Sequence, residues 1–576
     1  MAARRKEIDP QSEAMLRLRQ NCQVKLGLLR TERYSWWTHW RELADYLLPR
    51  RYKWLITPNQ GNRGSPINQR IVDSTGTVAL RILASGMMSG LTSPGRPWFR
   101  LTVDDPDLAE YAPVKMWLDD TTNRMLTVFA ESNFYNALSV MYQDLACFGT
   151  ATMIMYEDYE DVIRCYNSCA GEYFLANGAR MNVDTFYREF VMTTRQIADE
   201  FGIENVSPTV SNAVKRGGGP TTRELIIQHA IEPNTEYEEG VPGARGMPYR
   251  ELYWEAGSGR NYTLRYRGFH EFPVIAPRWD IVANDPYGRS PGMDVLGDVK
   301  QLQVEQKRKA QGIDKMVNPP LRADVSMKNE PASVLPGGVT YVTGQAGEKG
   351  FSPVYEVKPD LSHMVEDLKE VHGRIKSGLY NDIFLMISDL ETVRSATEID
   401  ARRQEQLVQL GPVVERFENE ALDPGVERTF NVMARAGLIA PPPRELSDKH
   451  VKVEYVSILS QAQKAVMTTG IERFVSFVGR IGAAVPSAMD NVDWDEMVDQ
   501  YADYLGVSPK VIVPYAKVMQ ARAQRQAKEQ QQAALQTSLA AAQGAKTLSD
   551  TDVGGGANAL QMMMNGPSAQ PMAAAA

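Results

Sequence analysis

The chain lacks a G-x-x-x-x-G-K-[ST] phosphate loop, and glycine is nowhere followed directly by lysine, which excludes a nucleotide-driven motor of that kind. It has no stretch of about 20 apolar residues, so no bilayer-spanning helix and no membrane partner are expected. Cysteine is scarce. Cys22, Cys147, Cys165 and Cys169 are too few and too scattered for a disulfide framework in 576 residues, and synthesis in a reducing cytoplasm is the simple reading. The start, Met1 to Pro10, is basic with no apolar core behind it, so no secretory signal is expected. A basic excess is also missing. The formal net charge of -8 disfavours tight, general binding of phosphate by counterion release. An acidic wall would let DNA slide past as cargo, and charge alone does not choose between that and no DNA contact.

Metal and nucleophile signatures are thin as well. The six histidines form no H-E-x-x-H: His270-Glu271 has Val274 where the second histidine belongs. Cys165 and Cys169 have no second Cys or His pair at zinc-site spacing, so two idle thiols are preferred. No cofactor motif is present and no cofactor is expected. Gly288-Arg289-Ser290-Pro291-Gly292 does fit the letters G-x-S-x-G. That elbow needs the backbone N–H after the serine to stabilise an oxyanion, and Pro291 has none. The segment also follows the turn Asp285-Pro286-Tyr287 rather than a strand, so the hydrolase reading fails. Asp389, Glu391, Glu398 and Asp400 form an acidic group that metal-assisted phosphodiester chemistry could use. The last two open a helix, where acidic side chains favour the dipole anyway, and that account is preferred.

What the chain does contain is ordinary soluble-protein material, 43% hydrophobic and 23% charged, long enough for roughly three or four packed regions. Apolar residues at Met15, Leu18, Cys22, Leu26, Leu29, Trp36, Trp40, Leu43 and Leu47 step in threes and fours, with one gap at Arg33, and predict a long amphipathic helix. It runs into a basic, aromatic knot, Arg50-Arg51-Tyr52-Lys53-Trp54. Such a knot could touch nucleic acid, but Arg and Lys stems covering exposed rings is the preferred account. After a Gly/Asn/Pro loop over 58–66 come a helix over 67–91 and two more over 113–147. From Thr150 to about Asp285, short β-branched and aromatic runs alternate with Gly/Pro breaks, interrupted by helical material near 193–216, which predicts an α+β region.

A helix over Met293–Val317 carries Lys300, Lys307, Arg308, Lys309 and Lys315 and stops at Asn318-Pro319-Pro320. A Gly/Pro/Val-rich stretch of strands and turns follows, and a second helix starts near Asp360, a plausible N-cap, with Leu361, Val365, Leu368, Val371, Ile375 and Leu379 on one face. Two helices thus bracket a small β insertion. Ser395-Ala396-Thr397-Glu398 makes a capping box for a long helix bearing Leu407, Leu410, Val414, Phe417 and Ala421, which Pro412 should kink and Pro424 should bend or end. Residues 440–515 read as mixed and mostly helical. Beyond Ala516 the composition turns to Ala, Gln, Gly and Met; its first part suits a helix, and the end is expected to be disordered. No internal repeat is evident.

Several stretches in order resemble the portal, or head-to-tail connector, family of short-tailed, podovirus-type bacteriophages. They are Asp73-Ser74-Thr75 through Leu91-Thr92-Ser93-Pro94 with Pro97-Trp98-Phe99; Phe148-Gly149-Thr150-Ala151; Tyr287 to Gly292; Lys315 to Pro320; Ser395 to Ile399 with Arg402-Arg403-Gln404-Glu405; and Ala434 to Pro443. The resemblance covers roughly 15–445 and implies an α+β, mainly helical portal fold with wing, stem, clip and crown regions and a long kinked wing helix. By position it implies a wing over 1–290, a first stem helix over 291–317, a clip over 318–359 and a second stem helix over 360–386. A tunnel loop facing DNA would follow over 387–394, comprising Ile387, Ser388, Asp389, Leu390, Glu391, Thr392, Val393 and Arg394. The kinked helix and the rest of the wing would fill 395–480, a crown 481–530 and a disordered tail 531–576.

The implied function is not enzymatic. Copies of the chain would form a homo-oligomeric ring, usually of twelve subunits, at the portal vertex of the virion after assembly in the host cytoplasm. Double-stranded DNA would pass through the channel during packaging and ejection. The implied partners are the terminase packaging motor, which would supply the ATP hydrolysis missing here, the major capsid and scaffolding proteins, and tail adaptor proteins. Two rivals stay open: a metal-dependent nucleic-acid enzyme using the acidic group at 389–400, and another virion head-tail adaptor.

Overall fold

The computed structural model of the protein describes residues 13–49, 51, 69–105, 108–109, 111–215, 223–257, 263–318, 320–322, 328, 352–353, 362–388, 410–446, 449, 451–456, 470–481, 492–505, 513 and 515–550. The architecture is α+β and mainly helical, as expected.

Helix α1 spans Glu13–Tyr46. Its apolar stripe buries Met15, Cys22, Leu26, Trp40 and Leu43, and Arg33 fills the gap in that stripe. Arg33 is buried, donates to the Tyr173 carbonyl and lies 3.7 Å from the Phe174 ring centroid, and burial pushes its pKa down to about 10. Helix α2 spans Thr75–Leu91, later than the sequence spacing predicts. The reason is local: Asp73 accepts from the Thr75 amide at 2.8 Å and holds the preceding residues in a turn. Strand β1 (Phe99–Val103) is followed by α3 (Ala112–Glu131) and α4 (Phe134–Phe148), the two helices expected there. Helix α4 is the spine of the core, with Leu138, Met141, Tyr142, Leu145 and Phe148 all buried.

Strands β2 (Thr152–Asp158), β3 (Val162–Ser168), β4 (Tyr173–Asn177) and β5 (Val183–Thr193) lead to the short helices α5 (Thr194–Phe201) and α6 (Pro208–Lys215). Strands β6 (Glu224–Pro233), β7 (Tyr249–Glu255), β8 (Thr263–Phe269) and β9 (Val274–Ile275) complete this part. β4 to β8 form a five-stranded antiparallel meander, and β2 sits between β3 and β9 in a second sheet. Alternation along the meander separates its faces. Leu252 and Trp254 pack under α1 with Cys22 and Leu26, whereas Tyr253 packs under α5 and α6 with Ile197, Phe201 and Val210. A charged row is buried in this sheet. His229 Nε2 lies 2.9 Å from Glu251, its Nδ1 accepts from Arg188 at 3.0 Å, and Tyr253 stacks on its ring at 3.8 Å. Each buried charge there has a partner, as a low-dielectric interior requires.

After a capped turn at Pro291–Asp294, α7 runs over Leu296–Val317 and stops at the expected Asn-Pro-Pro. Within the bracketed insertion, β10 (Leu321–Arg322) pairs antiparallel with β11 (Ser352–Pro353). The second helix is not continuous to 386 as expected. It divides into α8 (Ser362–Gly378) and α9 (Asn381–Ser388), because Tyr380 takes a left-handed φ of 55° and the helical ladder cannot pass through it. Of the bend or stop expected at Pro424, the long helix excludes the stop. Pro412 lies in its described start, and Pro424 does not end it. A π-helical turn over Glu418–Leu422 shifts the backbone ahead of the proline, and α10 (Asp423–Arg435) continues. The turn also presents Glu420, which grips the buried Arg278 through its backbone amide at 2.9 Å and its guanidinium at 2.6 Å.

Strand β12 (Val451–Tyr455) returns to pair antiparallel with β1. Three helices follow: α11 over residues 470–481, α12 over Trp494–Leu505 and α13 over Tyr515–Asp550. The expectation of disorder from 531 onward is therefore corrected for 531–550, whose Ala/Gln-rich sequence has high helix propensity. Residues 551–576 of that expected tail lie outside the described residues.

Candidate functional site

Two motifs distant in sequence meet at the root of α7. Helix α4 ends at Gly149, which has a left-handed φ of 76°. A Cβ there would stand 2.3 Å from the Gly288 carbonyl oxygen, and one on Gly288 would stand 2.4 Å from the Gly149 oxygen. Both positions therefore require glycine. The Gly288 amide donates to Thr150 Oγ1 at 2.7 Å, and Ser290 donates to the Cys147 carbonyl at 2.7 Å. Ser290 also accepts from the Met293 amide at 3.0 Å and caps the turn that launches α7, with Pro291 in the first turn, where no N–H is needed. The G-x-S-x-G serine is thus a buried helix cap with both hydrogen-bonding roles occupied, which agrees with rejecting a nucleophile elbow.

Among the described residues, the helix pair α7 and α8 is anchored at its base. Leu296, Val299 and Leu302 from α7, with Leu368, Val371, Ile375 and Leu379 from α8 and its end, are buried in the main core. Asp73 joins both helices to α2. Its carboxylate accepts from Thr75 Oγ1 at 2.6 Å, Gln306 Nε2 at 2.9 Å and His372 Nε2 at 2.9 Å. Gln303 closes the junction, donating to the Asp73 carbonyl at 3.0 Å and accepting from the amides of Val72 and Asp73 at 2.7 and 2.8 Å. Partial burial pushes the Asp73 carboxyl up, but the hydrogen bonds from Thr75 and His372 outweigh it and hold it below the usual carboxylate range. Across the pair, Arg374 donates to Asp298 at 3.1 Å and to Gln301 at 3.3 Å. Beyond this base α7 projects outward: Val304, Ile313, Met316 and Val317 are exposed.

The structure separates the basic residues of α7. Lys300 is paired with Glu42 of α1 at 2.7 Å and lies over the Tyr46 ring. Lys307, Arg308 and Lys315 are exposed and Lys309 is half-buried, and none makes an ion pair with the described residues. Of the expected tunnel loop, Ile387 and Ser388 are the last residues of α9. Helix α9 docks on α2 with Ile383 and Phe384 buried, and Phe384 lies where a Cβ on Gly86 would be 2.2 Å from its ring. Only glycine at 86 admits this approach. Asp389, Leu390, Glu391, Thr392, Val393 and Arg394 lie outside the described residues, as do Glu398 and Asp400 of the acidic group. Among the described residues no group of three or more His, Cys, Asp or Glu is placed to hold a metal.

The four cysteines are free and buried, and burial pushes the Cys22 and Cys165 thiols up to about 11 and about 12. Of the basic knot, Arg51 is described. It donates to the buried Asp144 at 2.8 Å and to Cys169 Sγ at 3.1 Å. Arg50, Tyr52, Lys53 and Trp54 lie outside the described residues. The residues that sequence reasoning missed are Asp73, Gln303 and His372 as one junction. The available signal was Asp73-Ser74-Thr75, a helix-start pattern inside the stretch read as helical over 67–91.

The family model of the bacteriophage head to tail connecting protein matches residues 19–513, which takes in both glycine motifs, the Asp73 junction and the bracketed insertion. The chain belongs to this family. As a connector-family chain it has relatives of nearly equal length. It is 45% identical over 514 residues to the "Probable portal protein" of Bordetella phage BPP-1, covering 89% of this chain and 92% of that one. It is 43% identical over 529 residues to the "Portal protein" of Salmonella phage epsilon15, covering 92% and 94%. A solved virion of a native gene transfer agent particle aligns over 74% of the connector-family chain and 94% of its own, at 11% identity and a TM-score of 0.30, too remote to bear on the argument. Among the described residues, no helix is long and apolar enough to cross a membrane.

Proposed function

We propose that this chain is the portal subunit of a phage: copies form a ring at one capsid vertex, and the ring is the channel for packaging and ejecting double-stranded DNA. The observation that carries this reading is the connector-family match across 19–513 together with two full-length relatives named as portal proteins. The geometry supports it. α7 and α8 are fastened at one end by Asp73, Gln303, His372 and the buried Leu296 to Leu302 face, and their other end projects with exposed apolar and basic side chains. A helix pair held this way suits a stem wall whose outer half is completed by neighbouring copies.

In this reading α7 and α8 are the stem pair, and the β10–β11 insertion belongs to the clip, where a terminase packaging motor would dock. The 389–394 segment after α9 is a tunnel loop, the ring has twelve subunits, and capsid, scaffolding and tail adaptor proteins bind its rim. The chain is a virion component that performs no hydrolysis itself. Electron microscopy of the purified full chain tests the reading. Rings with a central channel wide enough for duplex DNA are expected, and a persistent monomer under every assembly condition would overturn it.

A further inference from the structure

Helix α8 ends at Gly378 and α9 starts at Asn381, and the chain turns between them on Tyr380 at a φ of 55°. The amides of Leu379 and Tyr380 close α8 on the carbonyls of Ile375 and Ser377 at 3.1 and 3.0 Å. The Tyr380 carbonyl then accepts from the Ile383 amide at 3.2 Å and opens α9. A left-handed residue past a helix end is usually glycine. A Cβ disfavours that state roughly 5- to 30-fold. Tyr380 carries one, so contacts outside the turn must hold it there.

Both sides of the turn supply such contacts. On the α8 side, Ile375 and Leu379 are buried in the main core, and a Cβ on Gly378 would stand 2.5 Å from Val295 at the root of α7. That side is fixed. The Tyr380 ring packs on Trp279 with centroids 6.1 Å apart. On the α9 side the seat is α2. The buried Asn381, in the amide orientation its neighbours require, donates to the Ala79 carbonyl at 2.8 Å, and the Phe384 ring lies over Gly86.

The sequence suits two paths through this turn. Leu368, Val371, Ile375, Leu379 and Ile383 step by three and four with no proline among them, as one continuous helix would. Asp382 lies in the first turn of α9, where an acidic side chain favours a separate helix start.

We propose that α9 is a hinged arm pivoting on Tyr380. When Phe384 leaves Gly86, Tyr380 takes a right-handed φ, the hydrogen-bond ladder closes across the turn, and α8 and α9 become one helix. The eight residues of α9, about 12 Å long, swing as a body and do not unravel. Strain at Tyr380 favours the straight form, and the α2 seat favours the bent one, so the arm has two discrete positions whose balance a binding event can shift. The hinge is a property of the single chain and is independent of the ring reading.

Pulsed electron paramagnetic resonance on the full chain tests this. Spin labels go on Val78→Cys, at an exposed position of α2, and on Ser388→Cys, at the end of α9. The four native cysteines are buried and stay unlabelled. With the seat intact, one narrow distance is expected. Gly86→Ala, which puts a methyl into the Phe384 ring, should add a second narrow distance shifted by on the order of 10 Å. Phe384→Ala empties the seat without altering α2 and should do the same. An unshifted distance in both variants, or a broad spread from an unravelled α9, overturns the hinge. In the Gly86→Ala background, Tyr380→Gly should raise the ratio of bent to straight forms about tenfold over Tyr380→Ala. Both substitutions remove the ring from Trp279 and differ only in the Cβ, so equal ratios would show that Tyr380 is not the pivot.

Discussion

Replacing Ser290 by alanine isolates what the G-x-S-x-G serine does. In the structure its hydroxyl accepts from the Met293 amide at 3.0 Å and donates to the Cys147 carbonyl at 2.7 Å. Removing an N-cap of this type costs about 1 kcal/mol. Leaving a buried carbonyl without its donor costs about 1–2 kcal/mol more. The loss falls on the joint between α4 and the start of α7, so it is local before it is global. A chain of several packed regions is poorly served by a single unfolding midpoint, and native-state hydrogen exchange is the better assay. A loss of about 2–3 kcal/mol corresponds to amide exchange roughly 30- to 150-fold faster over residues 291–302, at about 1.4 kcal/mol per tenfold. Exchange in the β4–β8 sheet should not change. If Ser290→Ala left 291–302 within about threefold of wild type, the capping argument would be wrong and the hydroxyl would need another role.

Gly86→Ala should drive a methyl into the Phe384 ring, at a cost of about 1–3 kcal/mol for overpacking, and loosen α9; unchanged exchange over 381–388 would count against the close approach. His229 is held down to about 4 by burial, against an ordinary 6.5. The unfolded chain therefore binds its proton across that window while the folded chain does not, and stability falls on acidification from 6.5 to 4, by up to about 3 kcal/mol at about 1.36 kcal/mol per pH unit. His229→Gln should flatten that slope in acid denaturation, and an unaltered slope would assign the pH dependence elsewhere. Lys300→Ala breaks a half-exposed pair with Glu42 and should change the melting free energy by less than about 1 kcal/mol; a larger loss in a thermal scan would show the contact to be better shielded than it is.

Much of the helical skeleton was legible because amphipathic spacing is a local property. The steps from Met15 to Leu47, the Asn318-Pro319-Pro320 stop and the β-branched and aromatic runs between Gly/Pro breaks over 150–285 each depend on residues close in sequence. Local rules failed where the backbone leaves its usual state. Tyr380 carries no mark that it will adopt a left-handed φ, and it splits a helix whose apolar spacing runs straight through it. Pro424 reads as a bend or a stop, and the π turn ahead of it lets the helix go on. The portal layout implies a disordered tail from 531, yet the Ala- and Gln-rich composition over 531–550 favours helix, and α13 runs on to Asp550.

The candidate site divides in the same way. Pro291 alone rules out the oxyanion donor, and the ordered motifs alone carry the connector resemblance, because each is read from neighbouring residues. That Gly149 and Gly288 need to be glycine, that Asp73 fastens two helices more than 200 residues downstream, and that Glu420 answers Arg278 were settled only by the fold. Contacts between residues so far apart depend on how the core packs around α4 and on which backbones it forces together, and spacing along the chain carries no record of that.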